Sequence, residues 1–112
     1  MTDQPHPVDP DRVTAARERG LPLEQARALD ALLSLLADTV RTRILVALHE
    51  TGEMCVGDLA LALDVSEDSA SYALRLLRTA GLVVRRTEGR MGYYRLRDGN
   101  TGAAITAGLA CL

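Results

Sequence analysis

The spacing of apolar residues changes from a helical period to a strand period at Gly81, and this change sets the order of the elements around it. Before it, Ser66 begins a segment whose apolar residues recur at helical spacing, and Gly81 closes that segment. After it, residues 82–86 and 91–97 are β-type segments around a turn at 87–90. The sequence therefore predicts a helix followed directly by a hairpin.

The segment upstream of that helix is predicted to be helical almost throughout. Residues 23–50 place apolar side chains at helical spacing, and Asp38 interrupts the run by capping a second helix that ends at Gly52. A third helix over residues 55–63 leads into a tight turn at 64–66. Two short helices joined by three or four residues make a helix-turn-helix, and the hairpin makes it winged.

The two ends of the chain lie outside this central pattern. Residues 1–8 are predicted to be a mobile arm, and Asp9 is predicted to cap a short helix after it. Residues 100–112 are alanine-rich and predict a last helix. The expected boundary separates an N-terminal arm with a short helix, residues 1–21, from a winged helix-turn-helix domain, residues 22–112.

The distribution of charge favours a DNA partner although the formal net charge of the chain is −2. Residues 1–70 carry 6 arginines and 13 acidic residues, whereas residues 71–97 carry 7 arginines and one acidic residue. All 13 basic residues are arginine, which forms planar bidentate hydrogen bonds with phosphate and guanine. The basic segment coincides with the predicted helix and hairpin, so the average charge conceals a positive surface.

Eight side chains of the predicted helix and hairpin are predicted to contact DNA. Serine, tyrosine and arginine on the helix can hydrogen-bond base edges, and the hairpin arginines can neutralise phosphates. The predicted DNA-binding residues are Ser69, Ser71, Tyr72, Arg75, Arg78, Arg85, Arg86 and Arg90. The alternative interpretation is that these arginines form a solvent-exposed face that binds nothing. Glu67 and Asp68 would repel phosphate on that face, and they are interpreted as stabilising the helix N-terminus through its dipole.

Five stretches of the chain resemble the ArsR/SmtB family of metal-responsive repressors: residues 36–45, 53–60, 65–77, 81–83 and 89–96. The resemblance implies a mainly α fold with a small antiparallel β-hairpin, a winged helix-turn-helix. It also implies a homodimer whose first and last helices form the subunit interface, bound to an inverted-repeat operator. Family members commonly carry His-Gln where this chain has Tyr72-Ala73, which leaves a different operator sequence open.

The resemblance implies one type of metal site at the start of the helix-turn-helix. Cys55 and Asp58 match it, and their i, i+3 spacing predicts thiolate and carboxylate on one helical face, completed by His6 from the other subunit. Arsenic, lead and cadmium sensors of this type have a second cysteine where this chain has Gly57, which disfavours an all-thiolate site. A buried Cys55 beside a capping Asp58 is the equally weighted alternative.

A second type of site lies across the dimer on the last helices. Asp98 matches its aspartate, Asn100 replaces its histidine, and Cys111 falls at the position of a histidine from the other chain. The favoured alternative is that Asp98 caps a helix and Cys111 is apolar. The remaining histidine, His49, is interpreted as a partner of a helix C-terminus.

The mixed set of thiolates, imidazoles and carboxylates favours nickel or zinc over arsenite or lead. The sequence thus predicts a metal-responsive DNA-binding regulator, a repressor by family default. Open alternatives are a metal-independent or redox-sensing regulator that uses Cys55, an activator, or a regulator acting with a partner protein. Two distant histidines and no glycine-rich phosphate loop argue against an enzyme.

No apolar run approaches the roughly 18–20 residues of a membrane span, and the polar N-terminus predicts a cytoplasmic protein.

Overall fold

The computed structural model describes residues 6–111, in which six helices and three short strands follow one another. The helices are α1 Pro10–Arg19, α2 Leu23–Leu36, α3 Thr39–Thr51, α4 Val56–Leu63, α5 Glu67–Thr79 and α6 Gly99–Ala110. The strands are β1 Met54–Cys55, β2 Val83–Glu88 and β3 Met91–Leu96. The chain divides into two compact units, one ending at Asp30 and the other beginning at Ala31. The predicted mainly α fold with a small antiparallel sheet is confirmed.

Short side chains begin three of the helices, as the sequence predicts. Asp9 accepts a hydrogen bond of 3.1 Å from the Arg12 backbone at the start of α1, in the N-terminal unit. Asp38 caps α3 and Ser66 caps α5 in the same way, at 2.9 and 3.0 Å. Each cap satisfies a backbone N–H that has no partner inside its helix. Of the predicted arm, residues 1–5 lie outside the described part of the chain, whereas His6 is exposed.

The sheet contains a strand that the sequence pattern does not predict. Its order is β1-β3-β2, with Met54 opposite Tyr94 and Cys55 opposite Tyr93. The prediction that Cys55 belongs to the third helix is therefore wrong, because α4 begins one residue later and Cys55 lies in β1. A two-residue strand is too short to show an alternating pattern, so only its partner strand reveals it.

The hairpin is tighter than predicted. Glu88 pairs with Met91, so the loop consists of Gly89 and Arg90 rather than residues 87–90. Gly89 has φ of +60°, a left-handed conformation that glycine adopts without steric cost and that suits a two-residue hairpin loop. As a result, Arg90 stands at the tip of the wing formed by β2 and β3.

The core lies where α3, α4, α5 and β2 meet. Buried side chains there are Ile44, Leu45, Leu48, Leu59, Leu63, Ala73, Leu74, Leu77 and Val83. Burying a leucine or isoleucine contributes roughly 1.5–3 kcal/mol, so this cluster is what holds the helix-turn-helix together. Among residues 6–111, no helix is long and apolar enough to cross a membrane.

Candidate nucleic-acid interface and effector residues

Helix α5 is buried along one face and exposed along the other. Ala70, Ala73, Leu74 and Leu77 pack into the core. The predicted DNA-contacting side chains of this helix are all exposed: Ser69, Ser71, Tyr72, Arg75 and Arg78. The amphipathic period therefore sorts the core residues from the predicted contacts, as expected for a helix that presents one polar face.

Two side chains of the exposed face, Tyr72 and Arg75, contact each other. The guanidinium carbon of Arg75 lies 5.2 Å from the centre of the Tyr72 ring, within the range of a cation–π contact. Arg75 and Arg78 also line a groove of about 450 Å³ together with Tyr94 of β3. The groove has two guanidinium groups and aromatic surface, which suits an anionic, planar partner.

The two adjacent arginines of β2 have different surroundings, because side chains of a strand alternate between its faces. Arg85 lies above Tyr94, with 6.0 Å between its guanidinium carbon and the ring centre, and donates a 3.1 Å hydrogen bond to Thr87 Oγ1. A β-carbon on Gly92 would overlap this guanidinium, so the absence of a side chain there lets Arg85 lie along β3.

Arg86 is instead bound within the chain. Its Nε and a terminal nitrogen donate to the Glu53 carboxylate at 2.7–2.9 Å, and its other terminal nitrogen donates to Glu88 at 2.9 Å. The guanidinium carbon lies 4.6 Å from the centre of the Tyr93 ring. The hydrogen bond from Arg86 is the main cause that lowers the pKa of Glu53, and the bond to Glu53 raises the pKa of Arg86.

The other arginines predicted to contact DNA carry no such compensation. In the part of the chain that the structure describes, ion pairs involve only Arg12 and Arg86. Four of the predicted contacts therefore carry a positive charge with no carboxylate of residues 6–111 within 4 Å: Arg75, Arg78, Arg85 and Arg90. This face holds charge that an external polyanion can neutralise.

Glu67, one of the two acidic residues in the first turn of α5, is turned towards α4. A β-carbon built on Gly57 would lie 3.0 Å from Glu67 Oε1, so the carboxylate rests against the first turn of α4. A helix N-terminus favours negative charge nearby, which accounts for this placement.

The predicted ligands at the start of the helix-turn-helix border one groove. Cys55 is buried, with 7% exposure, whereas Asp58 is exposed, and both line a groove of about 630 Å³ with Glu67 and Met91. Because Cys55 lies in β1, the predicted placement of both ligands on one helical face is wrong. Within residues 6–111, no three His, Cys, Asp or Glu side chains stand close enough to hold a metal ion.

The predicted ligands of the second site stand at opposite ends of α6. Asp98 Oδ1 accepts hydrogen bonds from the backbone N–H and hydroxyl of Thr101, at 3.0 and 3.3 Å. Cys111 is exposed, and its Sγ donates to the carbonyl of Ala107 at 3.4 Å. At a rise of about 1.5 Å per residue, a helix of this length holds the two apart, so one chain alone cannot bring them to one metal.

His49 has a contact that the sequence does not predict. Its Nε2 lies 3.0 Å from Thr106 Oγ1, and that hydroxyl donates to the carbonyl of Gly102, so His49 joins α3 to α6. Sequence reasoning missed the roles of Glu53 and of the pair His49 and Thr106, because their partners lie 33 and 57 residues away and no local spacing signals them.

Comparison with known proteins gives consistent matches along the chain. A family model described as bacterial regulatory protein, arsR family, matches residues 38–84. A transcriptional repressor SmtB homolog from Synechocystis is 41% identical over 98 residues, which cover 88% of this chain and 73% of that protein. The arsenical resistance operon repressor of Escherichia coli is 46% identical over 65 residues, covering 58% and 56%. The solved homodimeric winged helix-turn-helix DNA-binding domain of a Mycobacterium bovis protein superposes with a TM-score of 0.69 at 29% identity, covering 82% of this chain and 87% of that one.

Proposed function

This chain belongs to the arsR family of bacterial regulatory proteins, and from that premise we propose that it represses transcription by binding an inverted-repeat operator as a homodimer and releasing it on binding nickel or zinc. Members of this family are DNA-binding transcriptional regulators and not enzymes. The observation that carries the proposal is the exposed face of α5 and the wing, where Arg75, Arg78, Arg85 and Arg90 pair with no carboxylate of the described residues.

The proposed DNA complex places α5 in the major groove. Ser69, Ser71, Tyr72 and Arg75 then meet base edges, where serine and tyrosine hydroxyls and a guanidinium can hydrogen-bond to bases. Arg78, on the next turn, and Arg85 and Arg90 on the wing neutralise phosphates on either side. The pairing of Arg86 with Glu53 and Glu88 argues that Arg86 contributes little to phosphate neutralisation.

The choice of nickel or zinc rests on donor chemistry. The relatives include repressors named for arsenical and cadmium resistance, so the family accommodates several metals. This chain has Gly57 two residues after Cys55, so one thiolate stands beside carboxylates. Thiolate mixed with imidazole and carboxylate suits zinc and nickel better than it suits arsenite or lead.

Both proposed metal sites require two chains. Cys55 and Asp58 border one groove and supply two donors, and His6 of the second subunit would complete the set. Asp98 and Cys111 lie at the two ends of α6, so they fit a shared metal only if the two residues come from different chains. The donors present thus fit a metal that bridges the dimer, and such a metal would supply charge and fixed geometry at the subunit interface.

We propose that regulation works by thermodynamic linkage between metal binding and DNA binding. A metal held across the dimer favours a spacing of the two α5 helices that does not match successive major grooves. Since linkage is reciprocal, DNA also weakens metal binding by the same factor, and a coupling of about 1–3 kcal/mol is typical.

The test is a metal titration of the purified protein in the presence of labelled double-stranded DNA that the wild type has selected from a random pool. Nickel or zinc should weaken binding by roughly 5–150-fold, measured by fluorescence anisotropy. Metal binding to Cys55→Ser and Cys111→Ser, beside the wild type, identifies which site is used. If neither metal changes the affinity for DNA, the proposed metal response is wrong, whereas the proposal of a DNA-binding regulator is unaffected.

A redox-sensing regulator is the second candidate, and the burial of Cys55 disfavours it, because oxidant-sensing thiols are solvent-accessible. The same Cys55→Ser variant distinguishes the two. Loss of a response to oxidant together with an intact response to metal would favour the redox candidate.

A further inference from the structure

The ion pair between Glu53 and Arg86 joins the wing to another part of the molecule. Glu53 directly precedes β1, whereas Arg86 lies in the middle of β2 on the wing, and the two residues are 33 positions apart. The pair is bidentate, Glu88 binds the remaining terminal nitrogen, and Tyr93 supports the guanidinium at 4.6 Å. Bidentate geometry within a network distinguishes this pair from an ordinary surface ion pair, which contributes little.

We propose that Glu53 is a positioning residue for operator binding, which acts through Arg86 to hold the wing at the angle where Arg85 and Arg90 meet DNA. The proposal rests on the DNA contact surface described above. Beyond this ion pair, β1 pairs with the wing through its two residues, Met54 and Cys55, and both pair with β3 rather than with β2. A side-chain link from Glu53 to β2 therefore fixes the strand that the backbone pairing of β1 does not reach.

The two carboxylates bound to Arg86 differ in whether they can fix the wing to the rest of the chain. Glu88 belongs to β2 and moves with the wing, so its bond to Arg86 cannot fix the wing to anything else. Glu53 lies outside the wing, so its bond can. Glu88 is thus a matched control that carries the same charge and binds the same guanidinium.

The proposal and a purely electrostatic alternative predict opposite changes in DNA affinity when Glu53 is replaced. If Arg86 is a phosphate contact that Glu53 merely masks, then Glu53→Gln frees a positive charge and strengthens DNA binding. If Glu53 positions the wing, the same change loosens the wing and weakens DNA binding. Removing a carboxylate near DNA favours binding on charge alone, so a loss of affinity cannot come from charge.

The experiment measures binding of the full chain to double-stranded DNA that the wild type has selected from a random pool, at several salt concentrations. Glu53→Gln should weaken binding about three- to tenfold and flatten the dependence of log K on log salt, because wing arginines lose phosphates. Glu88→Gln should leave affinity unchanged or slightly higher, with the wild-type slope. Equal or tighter binding by Glu53→Gln would overturn the proposal.

Arg86→Lys keeps the charge and loses the bidentate geometry, which makes it an independent second variant. It should resemble Glu53→Gln if the pair positions the wing, whereas a phosphate contact would tolerate lysine and keep wild-type affinity. Restored affinity in the double variant Glu53→Arg, Arg86→Glu would support positioning further. A wild type that selects no DNA sequence would overturn the proposed function itself, an outcome distinct from any of these.

Discussion

At the scale of the residue, the position of a charged side chain within its strand decides what it contacts. Arg85 and Arg86 are neighbours in sequence and look equivalent there. Because side chains alternate along β2, Arg85 lies over Tyr94 beside α5, whereas Arg86 lies over Tyr93 and binds Glu53. The first is left for an external anion and the second is neutralised within the chain.

Loss of a DNA-facing arginine should weaken operator binding and reduce its salt dependence. Arg75→Ala and Arg90→Ala remove charges that pair with no carboxylate of residues 6–111, so each variant should displace fewer counterions from DNA and lower the salt slope by about 0.9. Arg75→Ala should also relax base selectivity, since a bidentate arginine–base pair discriminates by about 1–3 kcal/mol. Fluorescence anisotropy between 50 and 200 mM salt, roughly the range over which such contacts are lost, measures both effects. Arg17→Ala, on α1, is the control, and unchanged slopes for both variants would refute the assignment.

Gly57→Cys should convert the groove beside α4 into a site for soft metals. The new side chain places a second thiol two residues from Cys55, and Glu67 Oε1, 3.0 Å from the new β-carbon, must move by a few tenths of an ångström. Thiolates prefer soft metals, so we expect cadmium to bind on the order of tenfold more tightly or better. Thiolate-to-metal absorption in a cadmium titration reports this. Gly57→Ala adds the same β-carbon without the thiol, and equal cadmium affinity in both variants would contradict the expectation.

At the scale of the element, the chain is predictable where the determining interaction is local. The caps at Asp9, Asp38 and Ser66 are formed by residues three positions apart, and helical period sorts the buried and exposed faces of α5. Strand β1 was not predictable, because it exists only through pairing with Tyr93 and Tyr94, nearly 40 residues later in the chain. The order of helices and hairpin was thus available from sequence, and the third strand was not.

Removal of the cap on α5 should destabilise the fold without touching the predicted DNA contacts. Ser66→Ala loses the hydrogen bond from the Ser69 backbone N–H and should cost about 1 kcal/mol in the free energy of unfolding. Urea denaturation followed by circular dichroism measures the change. Ser69→Ala is the matched control, because its exposed hydroxyl caps nothing: it should keep wild-type stability and lower DNA affinity. A loss of stability in Ser69→Ala with none in Ser66→Ala would reverse the assignment.

At the scale of the whole molecule, the sequence predicts which elements carry the site and leaves its internal pairing undetermined. The excess of arginine in residues 71–97 identifies α5 and the wing as the basic surface. Which of those arginines is available depends on Glu53, 33 residues before its partner, and the link between His49 and Thr106 spans 57 residues. Such contacts are set by packing rather than by local period, so composition overestimates the positive charge that α5 and the wing leave unpaired.

The salt dependence of operator binding counts the available charges directly. The four predicted DNA-contacting arginines that pair with no carboxylate of residues 6–111, Arg75, Arg78, Arg85 and Arg90, bring about eight positive charges to the DNA in a dimer, and each displaces counterions whether it meets a base edge or a phosphate. A slope of about −0.9 per contact then predicts log K falling with log salt at about −7. If Arg86 also neutralised phosphate, the dimer would make about ten contacts and the slope would be about −9. The wild type measured beside Glu88→Gln decides between these values: Glu53 binds Arg86 in both proteins, so both should give the shallower slope. A slope near −9 in the wild type would indicate that Arg86 also neutralises phosphate.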